Sequence, residues 1–322
     1  MHAAVVRHFG DPPRFERFDD PDPTGAHEEL VEVVATGLHP RVRSQADGSH
    51  YTSTGQLPLV PGIDGVGRRT DGTLVYFILP ETRFGAMAEH TVIDARRSIA
   101  VPDGADPVLL AAAMNPGMSS WVALHQRVSF RPGQSVLILG ATGSAGQLAV
   151  QIARHLGAGT VIAAGRGAAR LSAMAQLGAD HSIDLAGDPG LVARDLATSA
   201  GEVDVVVDYL WGPPAEAAIA PLLGGRGDRS RLLSWVQIGA IAGPTISLPS
   251  AALRQANVHF LGSGQGSVSP DGILATLPGL VDELVTGPFS ITVASRPLSQ
   301  VESTWDAPAA GPTERVVFLP GV

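Results

Sequence analysis

The sequence contains neither cysteine nor lysine: Cys is 0, and all 22 Lys+Arg residues are arginine. The missing cysteines exclude disulfides, Cys-ligated zinc, iron–sulfur clusters and a cysteine nucleophile. The missing lysines exclude Schiff-base catalysis and the lysine of a phosphate-binding P-loop. They also exclude hydride-transfer enzymes that depend on a paired tyrosine and lysine.

Positive charge and long apolar segments are also scarce. The chain has 31 acidic and 22 basic residues and therefore a net charge of −9. It thus lacks the overall positive charge that attracts nucleic acids and anionic membranes. No apolar run reaches the roughly 18 residues that a membrane span needs. The first residues are followed by Asp11 and two prolines, which does not resemble a signal peptide. We therefore expect a cytoplasmic protein that binds no nucleic acid and no membrane.

The length and residue pattern predict two globular domains and an α/β fold. The chain has 322 residues, of which 44% are hydrophobic, and a domain typically takes about 100–200 residues. The first third has short alternating strands and many Pro and Gly residues, which indicates a β-rich domain. From about Pro107, strands and helices alternate, and apolar strands such as 205–207 indicate a parallel sheet buried on both faces. We expect Asn115-Pro116-Gly117 to end one helix, before a second begins at Met118.

The most specific motif is the glycine-rich segment 136–146, Val-Leu-Ile-Leu-Gly-Ala-Thr-Gly-Ser-Ala-Gly. It places Gly140, Gly143 and Gly146 between a predicted strand and a predicted helix. Gly140 allows the tight turn, Gly143 lets the backbone approach a pyrophosphate, and Gly146 lets the helix pack on the strand. The first helix amides would then face the phosphates. The segment predicts a dinucleotide site that includes the turn residues Gly140, Thr142, Gly143, Ser144, Ala145 and Gly146.

The end of the next predicted strand indicates which dinucleotide binds. An NAD site usually has Asp or Glu there to bind the ribose 2′-hydroxyl. This chain instead has Gly165 and Arg166, with Arg170 one helical turn later, and no acidic residue lies between Gly146 and Asp180. An arginine suits a 2′-phosphate. We therefore predict NADP(H), with Gly165, Arg166 and Arg170 among its contacts.

Several motifs spread over nearly the whole chain resemble the medium-chain dehydrogenase/reductase superfamily. They include Pro61-Gly62-Ile63-Asp64-Gly65-Val66-Gly67, Asn115-Pro116-Gly117, Arg131-Pro132-Gly133 and Leu177-Gly178-Ala179-Asp180. The chain is similar to the zinc-independent, quinone oxidoreductase-like branch. Zinc alcohol dehydrogenases carry Cys where this chain has His39, and His-Glu where it has Ile63-Asp64, so we expect no metal site.

This resemblance implies an architecture. It predicts a GroES-like β-rich catalytic domain from residues 1–121 and 262–322, and a Rossmann domain with a doubly wound parallel sheet from residues 122–261. The active site would lie in the cleft between the two, and relatives suggest a homodimer. The resemblance also implies further cofactor contacts, namely Asn115, Ile238, Gly239, Leu261, Gly262 and Ser263.

The resemblance also implies which side chains act on the substrate. The hydroxyl of Tyr51 can donate a hydrogen bond to a developing oxyanion, although it could equally be a loop residue that only covers the pocket. His39 could donate to a substrate carbonyl or to the ribose, or it could be a structural, hydrogen-bonded histidine. We expect an NADPH-dependent, zinc-independent reductase that transfers hydride to a small-molecule substrate, either a quinone or an α,β-unsaturated carbonyl compound. The alternatives are a metal-free carbonyl reductase or alcohol dehydrogenase, and a non-catalytic NADPH-binding sensor or scaffold.

Overall fold

The computed structural model describes residues 1–79, 82–307 and 314–322. Contacts within the chain divide it into two compact units: unit 1 comprises Met1–Asn115 and Leu277–Val322, and unit 2 comprises Pro116–Thr276. These divisions fall within two long helices, whereas the boundaries that we predicted lie after residues 121 and 261.

The strands of the described residues are β1 (His2–Val5), β2 (Arg14–Arg17), β3 (Glu28–Leu38), β4 (Asp64–Arg68), β5 (Leu74–Ile78), β6 (His90–Asp94), β7 (Ser98–Ala100), β8 (Ser135–Leu139), β9 (Thr160–Gly165), β10 (His181–Asp184), β11 (Val205–Asp208), β12 (Leu233–Gln237), β13 (Val258–Gly262), β14 (Val293–Pro297) and β15 (Arg315–Leu319). The α-helices are α1 (Pro40–Ala46), α2 (Pro107–Val122), α3 (Ser144–His155), α4 (Ala168–Ala173), α5 (Pro189–Ala200), α6 (Gly212–Gly224), α7 (Ala252–Gln255), α8 (Pro270–Thr286) and α9 (Val301–Trp305).

Unit 2 is built around a parallel sheet in the order β10-β9-β8-β11-β12-β13. Its four inner strands, β9, β8, β11 and β12, are mainly apolar and buried because helices cover the sheet, as the 205–207 run predicted. The order reverses between β8 and β11, and ligands bind at the carboxyl ends of strands at such a point. The predicted Rossmann sheet is confirmed, and its glycine-rich turn lies at this edge.

Unit 1 contains a mainly antiparallel sheet in the order β14-β15-β3-β4-β5-β7, with β6 also paired to β3. Strand β3 is the long central strand, and its eleven residues pair with β15, β4 and β6. Because β3 ends at Leu38, it delivers His39 directly to the start of α1. The predicted β-rich domain separate from the Rossmann sheet is confirmed.

The predicted helix break at Asn115-Pro116-Gly117 is wrong. Helix α2 continues through Pro116 to Val122, and the chain then makes one π-helical turn over Ala123–Arg127. Proline removes one helical hydrogen bond but can be accommodated within a helix that tertiary packing supports. The local signal was therefore overridden by the burial of most of this helix.

No helix within the described ranges is long and apolar enough to cross a membrane.

Candidate cofactor and active site

The glycine-rich turn at the end of β8 has the geometry that its sequence predicts. Gly140 has a φ of +90°, which only glycine adopts without strain. A Cβ on Gly146 would lie 2.2 Å from the Gly140 carbonyl oxygen, so α3 can start here only with glycine. Gly143 precedes α3 and provides no side-chain cap, which leaves the first amides of the helix to a ligand.

The carboxyl end of β9 packs directly against this turn. The amides of Gly140 and Ala141 both donate to the Ala164 carbonyl, at 2.9 and 3.0 Å. A Cβ on Gly165 would lie 2.7 Å from the Thr142 hydroxyl oxygen, so this contact also requires glycine. The structure thus places the turn beside the end of β9.

Two arginines follow this strand. Arg166 is exposed, and its amide donates to the Thr142 hydroxyl at 3.4 Å. The Arg170 guanidinium folds back close to Gly167. Neither guanidinium has a carboxylate within salt-bridge distance among the residues that the structure describes. Both charges therefore remain available to an anion.

A buried carboxylate, which the sequence motif did not assign a role, fixes the neighbouring loop. Asp208 ends β11, and its Oδ1 accepts hydrogen bonds from the amides of Leu210 (2.8 Å) and Trp211 (3.0 Å). Its Oδ2 accepts from the Trp235 indole at 3.0 Å. Burial raises the pKa of Asp208, and the three donors oppose that shift. Trp211 has a φ of +49°, unusual for a bulky residue, so these bonds hold a strained turn.

The loops after β12 and β13 meet the same edge. A Cβ on Gly239 would lie 2.8 Å from the Tyr209 carbonyl oxygen. The Gln237 side chain donates to the Gly239 carbonyl at 3.0 Å, and the Ser263 amide donates to the Gln237 carbonyl at 2.9 Å. The predicted contacts of unit 2 thus lie along one edge of the sheet. They are Gly140, Thr142, Gly143, Ser144, Ala145, Gly146, Gly165, Arg166, Arg170, Ile238, Gly239, Leu261, Gly262 and Ser263.

Tyr209 follows Asp208 but is not available as an acid. Its hydroxyl is 2.8 Å from the Ser119 hydroxyl, which itself donates to the Pro116 carbonyl at 2.6 Å. Burial raises the pKa of Tyr209 to about 12. The side chain therefore anchors its loop to α2 within unit 2.

In unit 1, His39 belongs to a buried polar cluster. Its Nε2 lies 2.9 Å from Asp64 Oδ1, and the Tyr76 hydroxyl donates to Asp64 Oδ2 at 2.7 Å. All three side chains are buried, with His39 only 3% exposed. Burial lowers the pKa of His39, although Asp64 opposes the shift, and burial raises the pKa of Tyr76 well above its usual value. A neutral His39 that donates Nε2–H to Asp64 presents Nδ1 as an acceptor, and this contact is of the kind that the structural alternative describes.

Arg315 lies near this cluster and is also buried. Its Nη1 reaches the Leu38 carbonyl at 3.4 Å, and burial lowers its pKa to about 10, which Asp64 opposes. Its positive charge therefore balances the buried Asp64.

The remaining predicted residues lie in unit 1. Tyr51 lies in the segment after α1, with its side chain 73% exposed and its ring centroid 4.2 Å from that of His50. Asn115 lies within α2 and is partly buried. The exposure of Tyr51 is compatible with contact to a small molecule, whereas His39 is enclosed in its own cluster.

A metal centre does not fit these residues. Among residues 1–79, 82–307 and 314–322, no three His, Cys, Asp or Glu side chains are grouped so that they could hold a metal ion. His39 and Asp64 form a pair that is already satisfied by a direct hydrogen bond. A catalytic zinc requires three protein ligands, so no zinc-dependent step can be assigned.

A parallel sheet with a glycine-rich turn of this kind is typical of dinucleotide-dependent oxidoreductases, and comparisons with known proteins place the chain within that class. Residues 145–275 match the family described as zinc-binding dehydrogenase. The chain is 32% identical to a probable NADPH-dependent quinone reductase of Emericella nidulans, over 99% of this chain and 100% of the relative. It is 34% identical to a 2-haloacrylate reductase of Burkholderia sp. over 65% of this chain and 66% of that relative.

A solved structure agrees with these relatives. The quinone oxidoreductase of Thermus thermophilus, which was also solved in complex with NADPH, superposes with a TM-score of 0.79 at 26% identity. The match covers 99% of this chain and 100% of that one. The chain belongs to the medium-chain dehydrogenase/reductase superfamily, in its quinone oxidoreductase-like branch.

The buried His39 predicts a pH dependence of stability. Its pKa is lowered from 6.5 in the folded state, so the unfolded state binds more protons below about pH 6.5. The contribution of His39 to the free energy of unfolding should therefore be fully present above that pH. It should decrease as the pH falls, by at most about 1.4 kcal/mol per pH unit.

Urea unfolding at about pH 7 and about pH 5.5 measures this effect. His39→Gln retains a donor for Asp64 but cannot titrate, so it should lose less stability between the two pH values than the unmodified chain. His27→Gln, at an exposed histidine, is the control and should behave as the unmodified chain. Equal losses for His39→Gln and the unmodified chain would refute the assignment.

Proposed function

We propose that this protein is an NADPH-dependent, zinc-independent reductase that transfers hydride to a quinone or an α,β-unsaturated carbonyl compound. The observation that carries the proposal is the pairing of the glycine-rich turn with Arg166 and Arg170, neither of which is neutralised by a carboxylate among the described residues. The names of the relatives support both the cofactor and the substrate class.

The residues of unit 2 suit NADPH. The first amides of α3 bind the pyrophosphate, and Gly143 leaves room for it because a Cβ at this position would lie 3.6 Å from the nearest protein atom. Arg166 and Arg170 bind the 2′-phosphate by charge-assisted hydrogen bonds. Ile238, Gly239 and the residues Leu261–Ser263 border the nicotinamide half, and Asn115 is assigned to the cofactor as well. When bound, NADPH supplies the hydride.

The chain must stabilise the oxygen that becomes negative as hydride reaches the electron-poor carbon. We assign that role to the Tyr51 hydroxyl, which can donate a hydrogen bond and then a proton to an enolate or hydroquinone oxygen. His39 has a supporting role. It is buried beside Asp64 at the start of α1, so it supports the segment that carries Tyr51 and does not itself contact the substrate.

Zinc independence is part of the proposal despite the name of the matching family. The chain has no cysteine, and His39 stands at the position where zinc alcohol dehydrogenases of the same superfamily carry one. Reduction of a quinone or an enone needs only hydrogen-bond donors at the oxygen, whereas alcohol oxidation without metal must generate an alkoxide with a weaker base.

We also propose a homodimer in the cytoplasm. Strand β13 is one edge of the sheet, and its Val258, Phe260 and Leu261 are only partly buried, whereas the opposite edge, β10, presents mainly polar residues. An exposed apolar edge favours pairing with another strand. Sedimentation equilibrium should give twice the chain mass of 33.2 kDa, and a monomer would contradict this part of the proposal.

The proposed activity is tested by following the oxidation of NADPH, with NADH in parallel, by the purified protein. The acceptors are a 1,4-benzoquinone, an acyclic enone and a simple ketone, and bound zinc is measured by elemental analysis. We expect turnover of quinone or enone, a strong preference for NADPH and no stoichiometric zinc.

The other outcomes discriminate between the alternatives. Turnover of ketones alone would favour a carbonyl reductase, and preference for NADH would refute the role of the arginines. Tight binding of NADPH without turnover of any acceptor would favour a sensor, and one zinc per chain would refute the metal-free assignment.

Replacing Gly143 separates cofactor binding from folding. In Gly143→Ala the new methyl group meets no protein atom closer than 3.6 Å and the φ of −87° suits alanine, so stability should fall only by the cost of alanine at a helix N-cap, about 1 kcal/mol. The methyl group should obstruct the pyrophosphate and raise the Kd for NADPH about tenfold. Thermal unfolding and titration with NADPH measure the two effects.

The control for this variant is Gly224→Ala at the end of α6, where a Cβ would likewise meet open space, with no protein atom within 4 Å. It should leave the Kd for NADPH unchanged and alter the stability by no more than about 1 kcal/mol. An unchanged Kd in Gly143→Ala would place the pyrophosphate elsewhere.

Replacing Arg166 tests the choice of cofactor. Hydrogen bonds to charged groups contribute about 1.5–3 kcal/mol, so Arg166→Ala should raise the Kd for NADPH roughly tenfold to a hundredfold. Binding of NADH, which has no 2′-phosphate, should be unaffected. Arg229→Ala, at an exposed arginine of the same unit, is the matched control. Equal weakening of both nucleotides would contradict a 2′-phosphate contact.

A further inference from the structure

A short glycine-rich loop follows β13 at the proposed cofactor edge. This 262–268 loop contains Gly262, Gly264 and Gly266, and Gly266 has a φ of +96°. The Ser267 hydroxyl closes the loop, because it accepts from the Gly264 amide at 2.8 Å and lies 2.9 Å from the Gly264 carbonyl oxygen. Glycine loses more conformational freedom on ordering than any other residue, so such a loop needs external restraint.

Arg127 supplies that restraint. It ends the π-helical turn after α2, and its Nε donates to the Gly262 carbonyl at 2.8 Å while its Nη1 donates to the Ser267 carbonyl at 3.1 Å. One planar guanidinium thus holds both ends of the loop, across 135 and 140 residues of sequence. Among the described residues, Arg127 has no carboxylate at salt-bridge distance, so its donors are directed at these carbonyls.

The restrained loop lies where a ligand would bind. It follows the carboxyl end of a parallel strand, and the Ser263 amide bonds to the Gln237 carbonyl at the end of β12. Ligands of parallel sheets bind at this edge. The Arg127 guanidinium therefore links the carbonyls of Gly262 and Ser267, at the two ends of this loop, by contacts within the protein alone.

We propose that Arg127 is a positioning residue for NADPH. It orders the 262–268 loop before binding, so that the binding of NADPH does not have to supply the free energy of ordering it. This inference rests on the proposed function, since it concerns the same cofactor site. Arg127 itself contacts only the loop. Its loss should therefore weaken cofactor binding without changing the hydride-transfer step or the affinity for the acceptor.

The test compares Arg127→Gln and Arg127→Lys with Arg131→Gln. Lysine keeps the positive charge but cannot bind both carbonyls at once. Arg131 is an exposed arginine close by in sequence, and its guanidinium makes no hydrogen bond or ion pair with the residues that the structure describes. For each protein we would measure the Kd for NADPH by titration, and the KM for NADPH, the KM for the acceptor and kcat. Amide hydrogen exchange of residues 262–268 without cofactor is a readout independent of NADPH.

We expect Arg127→Gln to raise the Kd and KM for NADPH about tenfold, with kcat and the KM for the acceptor within twofold. Exchange in the loop should be faster, Arg127→Lys should be intermediate, and Arg131→Gln should match the unmodified protein. Should Arg127→Gln fail to fold, Ser267→Ala, which removes the hydroxyl that closes the loop, should show the same pattern.

An unchanged Kd for NADPH in variants of a protein that binds NADPH would overturn the positioning role alone. An equal loss in kcat and in the affinity for the acceptor would also overturn it, since that pattern indicates general structural damage. If the unmodified protein does not bind NADPH, the proposed function fails and this inference fails with it.

Discussion

Helix α3 begins so close to the end of β8 that a Cβ on Gly146 would lie 2.2 Å from the Gly140 carbonyl oxygen. This close approach fixes the geometry of the proposed cofactor site at the carboxyl-terminal edge of the parallel sheet. It directs the first helix amides at the space beyond Gly143, and the same turn binds the Ala164 carbonyl of β9 through two amides. The end of β9, which Arg166 directly follows, is thereby held beside the helix. The groups that we propose to bind the pyrophosphate and the 2′-phosphate, the first amides of α3 and Arg166, are therefore held close together by backbone contacts.

Each unit also contains a fully buried aspartate that is satisfied by hydrogen-bond donors. In unit 2, Asp208 holds a strained loop through two amides and one indole. In unit 1, Asp64 joins His39 and Tyr76. Burial of a carboxylate is costly unless donors surround it, so each acid fixes the groups around it. The two acids thus provide acceptors for the amide of the strained residue Trp211 and for the ring of His39.

The parallel sheet, the glycine-rich turn and the absence of an acid after β9 were predictable because each depends on residues close together in sequence. Gly140, Gly143 and Gly146 follow an apolar strand directly. For steric reasons, glycines at this spacing predict a tight turn between a strand and a helix. The continuous α2 was not predictable, since tertiary packing overrode the local preference of Pro116. The partners of His39 and Arg127 lie on distant segments, so their environments depend on the fold. Local sequence therefore predicted the glycine-rich turn, whereas only the fold shows that Asp64 is the hydrogen-bond partner of His39.

The central claim is that the glycine-rich turn and the arginines after β9 recognise NADPH. A crystal structure of the protein with bound NADPH would test it most directly. The account predicts the pyrophosphate against the first amides of α3, and the 2′-phosphate within hydrogen-bonding distance of Arg166 and Arg170. A 2′-phosphate that contacts neither arginine, or a pyrophosphate bound away from Gly143, would contradict it.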